Sequence, residues 1–158
     1  MSGLQRILVV DDEKCRIWSS FNLFGDRARN IVVVEGPSLI DFNNEDFKKM
    51  AQSCGLPDTC VEAGGEEEIA KVLREEQYNV ILLDGNLGLE LEGQYFDGRV
   101  IARRLRSGVY GSVNQNTRIL STSSQGTRIM PQAEGCFVLE YADRFRDYQL
   151  ERARKLLE

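Results

Sequence analysis

The pattern of apolar residues along the chain predicts short buried strands that alternate with amphipathic helices. The clearest strand is residues 78–83, where apolar side chains follow one another almost without a break. Such a run is typical of a strand buried on both faces, as in a parallel sheet covered by helices. Shorter apolar runs predict five further strands, at residues 6–10, 31–35, 59–62, 118–121 and 136–139.

Apolar residues at helical spacing predict the elements that connect these strands. The predicted helices span residues 13–24, 66–76, 98–106 and 142–157. Residues 36–57 are irregular, with a helix predicted at 45–54, and residues 87–97 are predicted to form a long acidic loop. Pro131 limits residues 125–134 to a short or distorted helix. Strands and helices in alternation indicate an α/β fold with a doubly wound parallel sheet.

Composition restricts the range of possible functions more than it restricts the range of possible folds. The chain has 158 residues, enough for one domain, and its 42% apolar and 28% charged residues are ordinary for a soluble protein. It contains no histidine, which excludes Ser-His-Asp and Cys-His catalytic units and imidazole metal sites. The net charge of −5 argues against nucleic acid as the main partner, because phosphate contacts need a basic surface.

Cysteine usage and hydropathy favour a cytoplasmic protein. The four cysteines form no CxxC pair and are predicted to be reduced thiols: Cys15, Cys54, Cys60 and Cys136. No apolar run is long enough to span a membrane, and the N-terminus lacks the regions of a signal peptide. We therefore expect a cytoplasmic location and no membrane partner.

Acidic residues stand where two of the predicted strands end. Asp84 follows the strand at 78–83, and Asp11 and Asp12 follow the first strand. If these strands are parallel neighbours, the three carboxylates converge at the edge where open α/β sheets hold their ligands. Close carboxylates repel unless a cation neutralises them, and hard oxygen ligands in small number suit Mg²⁺. Taken alone, Asp84 would serve equally well as a loop cap.

Several segments together resemble the receiver domain of two-component response regulators. The resemblance is carried by Ile-Leu-Val-Val-Asp-Asp-Glu at 7–13, Val-Ile-Leu-Leu-Asp-Gly-Asn-Leu at 80–87, and Asp-Gly at 97–98 leading into Arg-Arg-Leu-Arg at 103–106. A hydroxyl cluster at 121–124 and a terminal helix add to it. The resemblance implies a single flavodoxin-like receiver domain over residues 1–158. Because the strands at 31–35 and 59–62 both fit the family's second strand, we expect an extra strand-helix insertion at about 36–57 and a six-stranded sheet.

The resemblance also implies a phosphoryl switch. Asp84 would be the phosphoacceptor, and Asp11, Asp12, Asp84 and the backbone carbonyl of Asn86 would hold Mg²⁺. Thr122 would be the switch hydroxyl, with Ser121 and Ser123 as alternatives. The donor would be a histidine kinase or a histidine phosphotransfer protein, since this chain has no histidine. Output would run through protein contacts with an unidentified partner, by the domain alone or as a homodimer. Enzymatic activity would be limited to self-phosphorylation and dephosphorylation.

Two features depart from the family pattern. The family carries a lysine after its last strand, where this chain reads Phe-Val-Leu-Glu-Tyr at 137–141, and no lysine occurs between Lys71 and Lys155. A charge-assisted hydrogen bond contributes about 1.5–3 kcal/mol, so its loss weakens the acyl phosphate. Arg144 and Arg128 are the candidate substitutes, and Glu140 would add repulsion. The second departure is Pro131, in the family's usual signalling face.

Two other functions fit parts of the sequence. A pseudo-receiver would keep the fold and bind partners without being phosphorylated, which the missing lysine favours. Residues 31–38 also resemble the glutamate strand of Toprim domains, which use Mg²⁺ to cut or join nucleic acid. Asp84 and Asn86 would then stand for that family's Asp-x-Asp, but the second acid is missing and Asp11 and Asp12 would have no role.

Overall fold

A computed structural model describes a large part of the chain, with gaps. The described residues are 6–12, 24, 27–33, 60–85, 87, 89–91, 94–122, 128, 130–137, 151–152 and 154–156. Side chains are described in the strands at 7–11, 80–83 and 118–121 and in the helices at 66–75 and 98–106. They are not described in the strands at 89–91 and 94–96, nor in parts of the strands at 28–33 and 60–63.

Five parallel strands form the central sheet. They are β1 (Ile7–Asp11), β2 (Ala28–Val33), β3 (Cys60–Ala63), β4 (Val80–Leu83) and β7 (Arg118–Ser121), in the order β3-β2-β1-β4-β7. Two helices are α1 (Glu66–Glu75) and α2 (Gly98–Arg106). A parallel bridge between Ser121 and Cys136 continues the sheet beyond β7. The predicted doubly wound parallel sheet is therefore confirmed.

The sheet forms because its two central strands are apolar along their whole length. In β1, the four residues from Ile7 to Val10 are each at most 1% exposed, and β4 is equally buried. Only parallel strands covered on both faces bury runs of this kind. Helix α1 packs Ile69, Val72 and Leu73 into the same core, and α2 adds Ile101 and Leu105. None of the helices in the described ranges is long and apolar enough to cross a membrane.

Two predictions of local structure were wrong. Residues 87–97 are not a plain loop, because β5 (Leu89–Leu91) and β6 (Gln94–Phe96) pair as an antiparallel hairpin. The sequence Leu-Glu-Leu-Glu-Gly-Gln-Tyr-Phe alternates only before Glu-Gly, so neither its pattern nor its turn residues gave a clear hairpin signal. The second strand begins at Ala28 instead of Ile31, because its pairing with β1 also includes the polar residues Arg29 and Asn30.

The predicted insertion is only partly within the described residues. Strand β3 pairs with β2 at the edge of the sheet, so both segments that fitted the family's second strand lie in one sheet. The helix predicted at 45–54 lies outside the described residues, as do most of the helices predicted at 13–24 and 142–157. The strand-helix insertion and the single domain over residues 1–158 remain predictions.

A buried side-chain amide, that of Asn114, joins three segments at the end of the sheet where the strands begin. The side chain of Asn114 is fully buried; its Oδ1 accepts hydrogen bonds from Tyr78 N (2.9 Å) and Thr117 Oγ1 (3.0 Å). Its Nδ2 donates to the carbonyls of Leu73 (2.8 Å) and Glu76 (2.7 Å). One side chain thus joins the end of α1, the start of β4 and the loop before β7.

Replacing Asn114 by alanine should be strongly destabilising. The change leaves a buried N–H of Tyr78 and two carbonyls without partners, which costs about 2–4 kcal/mol of unfolding free energy. Urea unfolding at pH 7 measures the loss. Asn116→Ala, at an exposed position two residues away, is the matched control and should cost under about 0.5 kcal/mol. Equal losses for the two variants would contradict the role assigned to Asn114.

Candidate metal centre

The register of β1 against β4 brings three carboxylates together. Val10 pairs with Leu83, so Asp11 and Asp84 occupy the next positions on neighbouring strands, and Asp84 N donates to Val10 O at 3.0 Å. Asp12 follows directly. One carboxylate oxygen from each of the three aspartates lies within 4.8 Å of the others. The carboxyl edge of the sheet therefore carries a set of hard oxygen donors that could hold a metal ion.

Burial makes this cluster electrostatically costly. Asp11 is fully buried and Asp84 is 6% exposed, while Asp12 is only partly exposed. Loss of solvent, followed by the charge of Asp84, raises the pKa of Asp12 from 3.8 to about 6. Two full charges about 5 Å apart repel by on the order of 3 kcal/mol at an effective dielectric constant of 20. A divalent cation would remove that repulsion, so the donor set fits such an ion.

A buried hydroxyl stands beside the cluster. Thr122 follows β7, and its backbone N–H donates to the carbonyl of Leu83, the residue before Asp84 (3.2 Å). Thr122 is 3% exposed, yet its Oγ1 has no hydrogen-bond partner within the described part of the chain. A buried hydroxyl without a partner is rare and calls for an explanation, such as a bound water or ion or a functional role. Ser121 is also buried, but it belongs to β7 itself.

The start of α2 lies directly against the backbone of Asp84. A Cβ built on Gly98 would be 1.9 Å from the carbonyl oxygen of Asp84, and Gly98 N donates to the carbonyl of Gly85 (3.2 Å). Only glycine allows two backbones to approach so closely. Asp97, also at this edge, caps α2 by accepting from Arg99 N (3.0 Å) and Val100 N (3.2 Å). Its carboxylate is thus occupied by the helix and by the Arg99 side chain.

Sequence analysis predicted four of these site residues and missed the role of a fifth, Gly98. It singled out Asp11, Asp12, Asp84 and Thr122, which the structure brings to one edge of the sheet. It noted Gly98 only as part of a motif, because a contact between backbones leaves no periodic signal. Arg128 is described and exposed. The remaining candidates lie outside the described residues: Glu35, Asn86, Ser123, Glu140, Tyr141 and Arg144.

Comparisons with known proteins identify the fold. No known family model matches the sequence, and no curated protein matches it. Among solved structures, the receiver domain of the Francisella response regulator 1452 superposes with a TM-score of 0.50 at 15% identity, over 97% of this chain and 96% of that one. A Burkholderia pseudomallei response regulator, solved with a phosphorylated aspartic acid, a calcium ion and citrate, gives a TM-score of 0.44 at 15% identity, over 98% and 66% of the two chains.

The chain therefore has the fold of a response-regulator receiver domain, as its sequence motifs indicated. At 15% identity the likeness establishes the fold and leaves the chemistry to the site itself. The pairing of β1 with β4 puts Asp11 and Asp12 beside Asp84. That arrangement is the one expected from the receiver motifs, whereas the Toprim resemblance leaves Asp11 and Asp12 without a role.

Removing the charge of Asp12 should stabilise the metal-free protein. Because the pKa of Asp12 is about 6 in the folded state and 3.8 ordinarily, its protonation stabilises the fold fully below pH 3.8. That contribution is lost as pH rises through 6. Asp12→Asn should therefore raise the melting temperature at pH 7.5, without divalent cations, by about 2–4 °C, which corresponds to roughly 1 kcal/mol after allowing for solvent screening.

Differential scanning calorimetry from pH 4 to pH 7.5 measures this effect. The gain of Asp12→Asn over the wild type should be much smaller at pH 4, because Asp12 is then protonated in the folded state. Glu134→Gln, whose exposed carboxylate lies outside the cluster and pairs with Arg118 (3.2 Å), should not raise the melting temperature at either pH. A gain that is equal at both pH values would contradict the electrostatic explanation.

A methyl group at Gly98 should disturb the cluster through the backbone of Asp84. Gly98→Ala forces α2 away from the strand end, which we expect to cost about 1–3 kcal/mol and to weaken divalent-cation binding. Thermal melts with and without Mg²⁺ measure both effects. Gly64→Ala is the matched control, because a Cβ at Gly64 meets nothing within 4 Å. If Gly98→Ala melts and responds to Mg²⁺ like that control, the contact has no bearing on the site.

Proposed function

We propose that this chain accepts a phosphoryl group on Asp84 and acts as a receiver-like domain in two-component phosphorelay signalling. The proposal rests on one observation, the convergence of Asp11, Asp12 and Asp84 within 4.8 Å at the carboxyl edge of a receiver fold. Phosphoryl transfer to a carboxylate needs positioning and charge stabilisation more than covalent assistance from the protein. Buried acids at a strand end meet the first requirement.

Each residue of the site has its own proposed role in phosphoryl transfer. Mg²⁺, when bound by Asp11, Asp12 and Asp84 with the carbonyl of Asn86, would neutralise charge on the transferring phosphoryl oxygens. A carboxylate oxygen of Asp84 attacks phosphorus, and the bond from phosphorus to the donor nitrogen or oxygen breaks with its electrons leaving on the donor. The product is an acyl phosphate. The close approach of Gly98 holds the backbone of Asp84 during this step.

Thr122 is the proposed switch hydroxyl. Its Oγ1 is buried without a hydrogen-bond partner in the described residues, so a phosphoryl oxygen on Asp84 would offer it an acceptor that the unmodified site lacks. A charge-assisted hydrogen bond contributes about 1.5–3 kcal/mol. That gain would favour the arrangement in which Thr122 contacts the phosphoryl group and would couple phosphorylation to β7.

The composition of the chain bears on its phosphoryl donor. These residues contain no histidine, so the phosphohistidine would lie outside them, on a histidine kinase or a histidine phosphotransfer protein. We propose a cytoplasmic setting and output through protein contacts, with homodimerisation as one form of output. Within these residues, catalysis would be limited to gain and loss of the phosphoryl group on Asp84.

A pseudo-receiver is the second candidate, favoured by one observation. No lysine lies between Lys71 and Lys155, so the ammonium group that the receiver resemblance implies beside the acyl phosphate is missing. Loss of a contact worth about 1.5–3 kcal/mol would slow or weaken phosphorylation by roughly one to two decades. In this case the fold would serve only to bind partners.

Intact-mass measurement after incubation with acetyl phosphate and Mg²⁺ separates the two functions. A working receiver should gain one phosphoryl group slowly or partially, with the adduct stable in acid and labile in alkali. Asp84→Asn should remove the adduct, and Asp97→Asn, which alters a nearby carboxylate that caps α2, should retain it. Glu140→Lys or Tyr141→Lys should increase phosphorylation in one of the two cases by restoring the positive charge. No adduct on the wild type or on either lysine variant would establish the pseudo-receiver.

A further inference from the structure

A groove separate from the carboxylate cluster runs between α1 and the loop that follows α2. Its volume is about 600 Å³. One wall is the outer surface of α1, and the other is the end of α2 with the loop at residues 107–117. The groove contains none of the three clustered aspartates. The residues that line it are Glu66, Glu67, Glu68, Ala70, Lys71, Arg74, Arg104, Val109 and Tyr110.

The loop wall of this groove is held in one conformation. Tyr110 is 1% exposed, and its hydroxyl donates to Glu66 Oε1 (2.8 Å). The Nη2 of Arg74 donates to the carbonyl of Val109 (3.1 Å). Gly108 and Gly111 adopt positive φ angles of 82° and 84°, which only glycine takes without strain, and they bracket this segment. The groove is therefore largely pre-formed, which lowers the entropy cost of binding.

The same fixed loop directs apolar side chains into solvent. Val109 is 49% exposed and Val113 is 41% exposed, and they are the large apolar residues that stand out as exposed in the described ranges. Val109 lines the groove, with Val113 four residues further along the loop. Covering Val109 with an aliphatic side chain of a partner would remove apolar surface from water and would therefore favour binding.

The lining charges without an ion-pair partner in the described residues are two carboxylates, Glu67 and Glu68, against one guanidinium, that of Arg74. Arg104 pairs with Glu66 (2.6 Å), and Lys71 pairs with Glu75 (3.9 Å). Glu67 and Glu68 are exposed and form no ion pair within the described part of the chain. Helix α1 thus presents two carboxylates beside the groove, while two of the three cations that line it already have carboxylate partners.

We propose that this groove binds a segment of another protein that carries a lysine or arginine next to an aliphatic residue. The aliphatic side chain would pack on Val109, and the basic side chain would pair with Glu67 and Glu68. Charge favours such a partner over a second copy of this chain, because two copies each carrying a net charge of −5 repel. The proposal goes beyond phosphoryl transfer and does not depend on Asp84.

Selection from a random dodecapeptide library displayed on phage tests this proposal, with the full-length chain as bait. Enriched peptides should place Lys or Arg within about four residues of Leu, Ile or Val. Synthetic forms of the enriched peptides are then titrated by fluorescence anisotropy. Val109→Ser and the double variant Glu67→Gln/Glu68→Gln should each weaken binding about tenfold, the size of a contact worth roughly 1.4 kcal/mol.

The variants are chosen to leave the fold intact. Val109, Glu67 and Glu68 are exposed, so each substitution should shift the melting temperature by under about 2 °C, which thermal melting verifies. Glu134→Gln, which removes an exposed acid that does not line the groove, should bind the peptides like the wild type. Higher salt should weaken binding to the wild type and affect the Glu67→Gln/Glu68→Gln variant less.

Four results would overturn the proposal. The first is no enrichment above that obtained with the Val109→Ser bait. The second is enrichment of peptides without basic residues. The third is binding that is insensitive to both groove variants. The fourth is concentration-dependent dimerisation in sedimentation equilibrium that Val109→Ser abolishes, which would assign the groove to a contact between two copies of the chain.

Discussion

The pairing of β1 with β4 is the constraint on which the candidate site depends. Hydrogen bonds along the two strands fix Val10 beside Leu83, and the next residues on both strands are acids. A slip of one residue would turn every side chain to the other face and disrupt the packing on both sides of the sheet, which holds that register. The carboxylates of Asp11, Asp12 and Asp84 are therefore held together against their own repulsion. A bound cation would relieve this electrostatic repulsion, and the relief would favour cation binding.

Helix α2 connects this site with the rest of the molecule. At its start, Gly98 lies against the backbone of Asp84, so neither can move far without the other. At its end, Arg106 Nη1 donates to the carbonyl of Gln115 (2.8 Å), and Gln115 Nε2 donates back to the carbonyl of Arg106 (3.1 Å). The loop that walls the groove is thus tied to the same nine-residue helix. Contacts through α2 therefore connect the backbone of Asp84 with the loop that carries Val109.

The features that could be predicted from the sequence are those that leave a pattern of residue types along the chain. The apolar runs of β1 and β4, the helical spacing of α2 and the acids at strand ends all survive in the structure, because burial and strand polarity determine them. The early start of β2 at Ala28 and the hairpin of β5 and β6 escaped prediction, because pairing with neighbouring strands overrides local composition. The approach of Gly98 to Asp84 joins residues 14 positions apart and leaves no trace in the apolar pattern. Rigid presentation of Val109 likewise arises from contacts that form only in the folded chain.

A crystal structure of the chain with Mg²⁺ and beryllofluoride, a mimic of the phosphoryl group, tests the central claim most directly. We expect beryllium to be bonded to a carboxylate oxygen of Asp84 and Mg²⁺ to lie about 2.1 Å from carboxylate oxygens of the cluster. We also expect Thr122 Oγ1 to donate a hydrogen bond to a fluorine atom. An unmodified Asp84 in crystals that contain both reagents, or an adduct on another carboxylate, would contradict the account.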